Sequence, residues 1–308
     1  MSIKIIVDCD PGHDDAIALL LALASPEVEL VAVTTVAGNQ TLDKTTANAI
    51  RVLDLAGRDD IPVAAGAGRP LERDLRTAAS VHGETGMDGP ALVPPSRDPL
   101  AEHAVDLLAE RIEPGMVLVP TGPLTNVALL VERHPEAVAR LERVVWMGGA
   151  IAEGNLTPAA EFNAYVDPEA ADRVFRSGLD LTMIGLDVTH KALMTPAHAD
   201  RLRASGAVGT FVADLFGFYH RFHDARYGLP GSPIHDALAV AQVVRPELVE
   251  TLDTHVAVET QSELCRGRTV VDRWHVTGKQ ANAHVGIDVD AAAFLELLVG
   301  RLEAFAVA

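Results

Sequence analysis

The stretch IKIIVDCDPGHDDAIALLLALA, residues 3–24, decides the fold class. It starts with a short β-branched run at residues 3–7, which predicts a buried strand. A polar turn follows, and the pattern over residues 13–24 predicts a helix that ends before Ser25-Pro26. A strand that leads through a short turn into an apolar helix is the repeating element of an α/β fold.

The same alternation of strand and helix continues along the chain. Continuously apolar strands separated by helices indicate a parallel sheet covered on both faces. We find no internal repeat and no linker, so we expect one domain over residues 1–308, an α/β, doubly wound, mostly parallel sheet with its site at the carboxyl ends of the strands. Further strands are predicted at residues 30–35, 61–65, 116–119, 144–147 and 181–184, and β-rich stretches at 255–260 and 268–276. Helices are predicted at residues 42–55, 99–112, 168–175, 208–222, 235–243 and 290–304, with another starting at 122–123 and a long loop at 67–99.

The composition excludes several classes of protein. The 308 residues include 43 acidic and 25 basic side chains, for a formal charge of −18, and contain no basic block that suits a nucleic acid. The longest apolar run, residues 16–24, is far shorter than the ~20 residues that span a bilayer. Two cysteines, Cys9 and Cys265, are too few for a disulfide framework, and we find no secretion signal. We therefore expect a cytoplasmic protein without nucleic-acid or membrane partners.

Four carboxylates follow the first strand within eight residues. Asp8 and Asp10 share one side of the strand end, and Asp14 and Asp15 fall in the first turn of the next helix. Without a Lys or Arg in this segment, the four groups repel one another. A hard divalent cation relieves the repulsion, and oxygen-only ligands select Ca²⁺ or Mg²⁺. The alternative is a solvated acidic turn whose aspartates only cap the helix.

A second group of polar residues lies further along the chain. His235-Asp236 opens an apolar helix and offers a fifth carboxylate and a potential proton donor, although a buried neutral imidazole is the alternative. Amide and carboxylate side chains suit the recognition of sugar hydroxyls, although asparagines also cap turns. Candidates of this kind are Asn39, Asn155, Glu161 and Asn163.

Two weaker candidates concern a planar ligand. His82 in the long loop is a candidate substrate contact, although a loop histidine is more often only solvated. Residues 216–227 cluster aromatic and imidazole groups in a chain that is only 4% aromatic, which favours stacking on a planar ring. Helix core is the competing account for Phe216, Phe218 and Phe222.

Seven blocks of sequence, in order over nearly the whole chain, resemble the nucleoside hydrolases, the inosine-uridine preferring family of N-ribohydrolases. The first block is highly specific, and the ordered set is more specific still. The blocks are DCDPGHDDAIAL (8–19), VTTVAGNQT (33–41), VHGETGMDG (81–89), PTGPLTNVAL (120–129), VVWMGGAIAEGN (144–155), AEFNAYVDPEAA (160–171) and HDALAVA (235–241).

The resemblance implies Ca²⁺-dependent hydrolysis of the N-glycosidic bond of purine or pyrimidine ribonucleosides to free base and ribose, by a homodimer or homotetramer. It also implies the ligands of the Ca²⁺: Asp10, Asp15, the backbone carbonyl of Thr121, and Asp236. Asp10 would be the general base for the attacking water, and Asp8 would orient the site. The ribose would contact Asp14, Asn39, Met147, Asn155, Glu161 and Asn163. His235 would protonate the leaving base, and the variable segment that includes Tyr227 would face it.

Two other functions stay open at this point. An Asp-x-Asp pair after the first strand also begins the haloacid-dehalogenase-like, Mg²⁺-dependent phosphatases. Those enzymes need an acidic pair that commonly stands in a Gly-Asp context, and this chain contains no Gly-Asp dipeptide. The other alternative is an inactive, Ca²⁺-stabilised ligand-binding protein on the same fold, which the presence of all the metal and sugar positions disfavours.

Overall fold

The first strand and helix form where the sequence predicts them. The computed structural model describes residues 2–305. Strand β1 (Ile3–Cys9) runs two residues further than predicted because it pairs with a neighbour on each side, Cys9 with Thr35 and Asp8 with Pro120. Helix α1 (His13–Ala24) begins at its predicted residue. The Asp15 carboxylate accepts the Gly12 N–H at 3.0 Å, a favourable place for negative charge at a helix N-terminus.

The other elements, numbered in chain order, complete an alternating pattern. Strands β2–β12 are Val28–Thr35, Val63–Ala65, Met116–Pro120, Leu141–Met147, Leu181–Ile184, Leu193–Met194, Ser232–Pro233, Val249–Thr254, Val256–Val258, Thr269–Val271 and Ala283–Val289. Helices α2–α13 are Leu42–Leu55, Ala79–His82, Ala104–Arg111, Thr125–Arg133, Pro135–Val138, Phe162–Val166, Pro168–Phe175, Leu186–Thr189, Pro196–Arg203, Ala207–Tyr227, His235–Val244 and Ala291–Glu303, and Pro246–Leu248 is a short 3₁₀ helix.

The central sheet reverses its strand order next to β1. Its order over the described residues is β3-β2-β1-β4-β5-β6-β12-β9. All neighbours are parallel except β9, which runs antiparallel to β12. The chain leaves β1 towards β2 on one side and returns to β4 on the other. Such a reversal opens a crevice at the carboxyl ends of the strands, where α/β proteins bind ligands.

Helices cover both faces of this sheet. Ile5 and Val7 pack in one hydrophobic cluster with α1, α2, α11, α12 and α13, whereas Ile6 packs in a second cluster with α4, α5 and α8. Side chains of a strand alternate between its two faces, so a strand buried on both faces must be apolar throughout. This arrangement confirms the predicted doubly wound α/β fold.

Several predicted boundaries were wrong, and local hydrogen bonds explain why. The helix expected over 99–112 begins at Ala104, because Leu100 still pairs with Val63 and the His103 side chain accepts the N–H of Val105 as an N-cap. The helix expected from Gly122 begins at Thr125. Helix α11 continues past 222 to Tyr227 and stops at Gly228, whose φ of 62° suits a residue without a Cβ.

Two strands of the central sheet were not predicted from the sequence. Strand β9, at the sheet edge, is buried only at its two end residues and is rich in polar residues, so it lacks an apolar run. Strand β12 pairs with it and carries a polar His284 and Asp288. The two predicted β-rich stretches shrink to β10 and β11, which pair only with each other. None of the helices within residues 2–305 is long and apolar enough to cross a bilayer.

Candidate active site

One pocket lies at the carboxyl ends of β1, β2, β4 and β5. All the residues predicted to bind metal or substrate line it except Asp10 and Asp15, which have no exposed surface. The predicted residues that line it are Asp14, Asn39, His82, Thr121, Met147, Asn155, Glu161, Asn163, Tyr227, His235 and Asp236. The fold thus gathers side chains that are up to 226 positions apart in the chain.

Three carboxylates meet at the floor of the pocket. Oxygen atoms of Asp14, Asp15 and Asp236 lie within 4.8 Å of one another, and all three side chains are buried. This set includes Asp14, which the resemblance assigned to ribose, and it does not include Asp10. Asp14 and Asp15 come from the first turn of α1 and Asp236 from the first turn of α12, so two helix N-termini face the cluster and favour its negative charge.

Asp10 follows β1 and is held by the turn after β2. Its Oδ2 accepts the backbone N–H of Asn39 at 2.6 Å, whereas its Oδ1 is buried and has no hydrogen-bond partner among residues 2–305. The space beside Oδ1 stays open because residue 122 is a glycine: a Cβ on Gly122 would lie 2.6 Å from this atom. An ionised oxygen buried without a partner is costly, and a cation is the partner that suits it.

Asp15 is fixed from three directions. Its Oδ1 accepts the hydroxyl of Thr121 at 2.7 Å, and its Oδ2 accepts the N–H of Gly12 at 3.0 Å and the amide of Asn39 at 3.1 Å. These donors come from the ends of three different strands. These three hydrogen bonds fix the orientation of the carboxylate.

Burial and mutual repulsion make this cluster unfavourable when ionised. Burial, followed by the neighbouring carboxylates, raises the pKa of Asp10 and Asp236 well above the usual range. The same two causes raise the pKa of Asp14 to about 8, and burial raises that of Asp15. A divalent cation reverses the balance because it favours the ionised carboxylates. The residues present therefore fit a hard cation with oxygen ligands.

The amide and carboxylate side chains beside the cluster are held by backbone groups. Asn163 donates both N–H groups, to the carbonyls of Thr121 at 2.8 Å and Met147 at 3.0 Å, which leaves its Oδ1 for a ligand. Glu161 caps helix α7 and accepts the N–H of Gly149 at 2.9 Å and of Asn163 at 2.8 Å. Burial raises the pKa of Glu161 to about 7. Asn155 accepts the N–H of Phe162 at 2.9 Å.

His235 stands next to the cluster, on the first turn of α12. Its Nδ1 lies 2.7 Å from the hydroxyl of Thr189, and its ring meets the edge of His190 at 5.5 Å between centroids. Burial, followed by the charge of His190, lowers the pKa of His235 well below its usual value. The neutral ring is therefore oriented by a hydroxyl on one nitrogen, which leaves Nε2 as the other functional atom.

The opposite end of the pocket is aromatic. The segment 216–227 divides: Phe216 packs in the core, whereas Phe222 and Tyr227 line the pocket. The predicted segment contains Tyr219 and His223, which also line the pocket but were not singled out from the sequence, and His190 and Arg76 were missed. Tyr219, His223 and Tyr227 are spaced four residues apart, which puts them on one helix face, so this spacing was a usable signal.

Comparisons with known proteins point to one family of enzymes. The family model for the inosine-uridine preferring nucleoside hydrolases matches residues 5–296. A pyrimidine-specific ribonucleoside hydrolase of Shewanella sp. strain ANA-3 is 54% identical over 99% of this chain and 98% of that protein. Its counterpart from Salmonella agona is 51% identical over 99% of this chain and its whole length.

Solved structures place the same fold in enzymes with another base preference. A purine-preferring ribonucleoside hydrolase from Gardnerella vaginalis superposes with a TM-score of 0.93 at 34% identity, covering 98% of each chain. The fold is therefore shared by proteins named for purines and proteins named for pyrimidines. The family match also removes the phosphatase alternative raised by the Asp-x-Asp pair.

Proposed function

This chain belongs to the inosine-uridine preferring nucleoside hydrolase family, and we propose that it hydrolyses pyrimidine ribonucleosides to the free base and ribose with Ca²⁺ as cofactor. The observation that carries the proposal is the buried cluster of Asp14, Asp15 and Asp236, at the floor of a pocket lined by amide and carboxylate side chains, with the Asp10 Oδ1, which has no partner within residues 2–305, beside it. Nucleoside hydrolases act on N-glycosyl compounds, and a cation beside groups that bind hydroxyls supports that chemistry.

The proposed ligands of the Ca²⁺ are Asp10, Asp15, Asp236 and the carbonyl of Thr121. The buried Asp10 Oδ1 supports this set, although Asp14 lies as close to Asp15 and Asp236 as a ligand would. When bound, a divalent cation supplies Lewis acidity, which lowers the pKa of water towards neutrality. Oxygen ligands of mixed type, with carboxylates and a backbone carbonyl, favour Ca²⁺ over transition metals.

Asp10 is proposed as the general base. Its Oδ2 is fixed by the Asn39 N–H at 2.6 Å. Its Oδ1 has no hydrogen-bond partner within residues 2–305, so one lone pair would bind the cation and the other would accept a proton from the attacking water. Asp8 supports it from the same strand: its Oδ1 accepts the Thr34 hydroxyl at 2.6 Å and the Asn126 amide at 2.8 Å. Asp8 therefore orients the strand end and does not reach the pocket.

Hydrolysis of an N-glycosidic bond passes through an oxocarbenium-like sugar, as glycoside hydrolysis does. The carboxylates of Asp14 and Glu161, with the Oδ1 of Asn163, are proposed to bind the ribose hydroxyls and stabilise this positive charge. Glu161 and Asn163 are held by backbone groups before substrate arrives, so these two side chains need little reorganisation during the reaction. Asn39, Asn155 and Met147 complete the proposed sugar contacts.

His235 is proposed as the acid that protonates the leaving base. If the hydroxyl of Thr189 donates to Nδ1, the neutral ring carries its proton on Nε2, the atom that a leaving base would approach. His82 and Tyr227 are proposed to contact the base. The preference for pyrimidines is proposed because relatives at 54% and 51% identity are named pyrimidine-specific, whereas the purine-preferring structure is 34% identical.

A panel of five ribonucleosides tests this function. Reducing-sugar release from uridine, cytidine, inosine, adenosine and guanosine is measured with Ca²⁺ present, and the Asp10→Asn variant gives the background. We expect uridine and cytidine to be cleaved fastest. Faster cleavage of inosine would overturn the base preference, and no cleavage of any nucleoside would favour the inactive binding protein.

The remaining proposals concern the protein as a whole. We propose that residues 1–308 form a single catalytic domain, that the enzyme works in the cytoplasm, and that it assembles as a homodimer or homotetramer. Light scattering behind size-exclusion chromatography measures the assembly directly. A mass equal to one chain of 32.7 kDa would contradict it.

A further inference from the structure

Two buried histidines form a contact that the proposed reaction does not use. His13, in the first turn of α1, has no exposed surface, and His82, at the end of α3, is 6% exposed and lines the pocket. Their Nδ1 atoms are 3.0 Å apart, and Nε2 of His13 lies 2.8 Å from the backbone carbonyl of Asp88. The imidazoles thus connect a backbone carbonyl to the base end of the pocket.

The Asp88 carbonyl fixes the direction of the two side-chain hydrogen bonds that link it to His13 and His13 to His82. A carbonyl only accepts, so Nε2 of His13 must carry the proton, and Nδ1 of the neutral His13 ring must then be an acceptor. The Nδ1 of His82 must donate to it, because two acceptors 3.0 Å apart would repel each other. The neutral His82 ring then has its lone pair on Nε2.

One contact opposes this assignment. The backbone N–H of His13 also points at Nδ1 of His82, at 3.3 Å, and would prefer a lone pair there. In that arrangement Nε2 of His13 would turn a lone pair towards the Asp88 carbonyl at 2.8 Å, inside the protein. Giving up one long hydrogen bond costs less than a buried repulsion between two acceptors. The shorter side-chain contacts therefore decide the tautomer.

The Asp88 carbonyl is itself held in place by a turn of the backbone. The N–H of Asp88 donates to the His82 carbonyl at 3.3 Å, and the Asp88 carboxylate accepts the N–H groups of Glu84 and Thr85, both at 3.1 Å. Residues 82–88 thus form a closed turn. Its backbone delivers the Asp88 carbonyl to His13 and the His82 ring to the pocket.

We propose that His13 is a positioning residue that holds His82 as its Nδ1–H tautomer, so that His82 presents an acceptor nitrogen to the base end of the pocket. His82 then accepts a proton or a hydrogen bond from an N–H or O–H group of the ligand and does not donate one. This separates it from His235, the proposed donor. The proposal rests on the proposed function only in assigning the base to this end of the pocket.

The tautomer is measurable in the free enzyme, without substrate. Long-range proton–nitrogen spectra of protein labelled with ¹⁵N in its histidine rings distinguish a protonated ring nitrogen from an unprotonated one. The His82→Asn variant identifies the His82 signals among the 12 histidines. We expect a protonated Nδ1 and an unprotonated Nε2 on His82. A protonated Nε2 in the wild-type protein would overturn the proposal, whatever reaction the enzyme catalyses.

A double-mutant cycle tests the link to activity. His13→Phe keeps a ring that stacks against Phe218 and Tyr219, at 5.3 and 5.4 Å in the wild type, but removes both nitrogens. We expect His13→Phe and His82→Ala each to lower kcat/KM for uridine by roughly 10–100-fold, the range for losing the partner of a functional histidine. The double variant should be no slower than His82→Ala alone.

Two readouts separate positioning from a folding defect. His255→Phe, outside the pocket, is the matched control and should leave kcat/KM unchanged. If His13→Phe is poorly folded by circular dichroism, the wild-type tautomer still decides the question. Multiplying losses in a folded double variant would show that the two histidines act independently and would contradict the proposal.

Discussion

The two ends of the pocket are built differently. At the metal end, Asp10, Asp15 and Asn163 lie at strand ends or in first helical turns, are buried, and are each hydrogen-bonded to a group from another part of the fold. At the base end, Phe222, His223 and Tyr227 come from the last turns of α11, and Tyr227 is 46% exposed. The first end is fixed by the sheet, whereas part of the second depends on one helix terminus.

This difference matches what each end is proposed to bind. The ribose is the same in every proposed substrate and the cation is the same in every turnover. A rigid site for both can therefore be part of the fold itself. The base varies, and a helix end can change its residues without disturbing the sheet. The fold shared with a purine-preferring enzyme at 34% identity agrees with this division.

The largest effect should come from removing one hydroxyl at the metal end. We expect 2′-deoxyuridine to be cleaved at least ~10⁴-fold less efficiently than uridine, because a site built for hydroxyls leaves buried polar groups unpaired without one. Steady-state kcat/KM for both substrates measures this. Comparable kcat/KM values for the two substrates would show that the metal end does not bind the sugar hydroxyls as proposed.

The next effect lies at the boundary between the two ends. His235→Ala should lower kcat for uridine by roughly 10²–10⁴, the range for losing a general acid, with a smaller change in KM. A riboside with a good leaving group, such as p-nitrophenyl riboside, needs no protonation and should be cleaved almost normally. Equal losses on both substrates would instead make His235 a packing residue.

The repulsion and burial of the acidic side chains should make the free energy of unfolding of the metal-free protein depend on pH. A carboxyl whose pKa is raised by folding stabilises the fold while protonated, and this contribution is lost as pH rises through the raised pKa. Histidines with lowered pKa values act oppositely, but only below about 6.5, their unperturbed value. Between pH 7 and 9 the carboxyls make the main contribution, with the pKa of Asp14 raised to about 8. The Cys9 thiol, whose pKa burial also raises, adds a loss of the same sign towards pH 9.

We therefore expect chelator-treated protein to lose stability from pH 7 to pH 9, by up to roughly 1.4 kcal/mol per pH unit for each carboxyl that is still protonated. Thermal unfolding followed by circular dichroism measures this loss. Ca²⁺ should raise the midpoint most at pH 9. A metal-free midpoint that rises with pH over this interval would contradict the electrostatic account of the cluster.

The smallest effect should come from the base end. Tyr227→Ala removes a half-exposed ring, and loss of stacking on a base costs about 1 kcal/mol at the lower end of its range, or roughly fivefold. We expect this change mainly in KM, and different for uridine and inosine. The Asp59→Ala variant, at an exposed aspartate, serves as control. A loss of activity as large as that expected for His235→Ala would contradict the proposed difference between the two ends.

The sequence predicts the metal end better than the base end for a physical reason. The carboxylates of 8–15 stand together in the chain, and β1 and α1 form from local pattern alone. The backbone carbonyl of Thr121 has no side-chain signature, so only the family resemblance pointed to it. The strand order and the edge strand β9 depend on contacts between distant segments, which a local pattern does not contain.

At the base end, the missed residues had weaker signals. His13 was predicted only as the first residue of a helix, and the folded chain alone brings it to His82, 69 positions away. His190 follows the short helix α9, whose four residues carry no periodicity. Tyr219 and His223 were predictable from their four-residue spacing, but helix core competes for every residue of that kind.

The most direct test of the account measures metal and activity together. Protein freed of metal by a chelator is titrated with Ca²⁺ by calorimetry, and uridine hydrolysis is followed at each addition. We expect one Ca²⁺ per chain, activity that rises in proportion to occupancy, and loss of both in Asp10→Ala and Asp15→Ala. Full activity in protein that elemental analysis shows to hold no divalent ion would contradict the central claim.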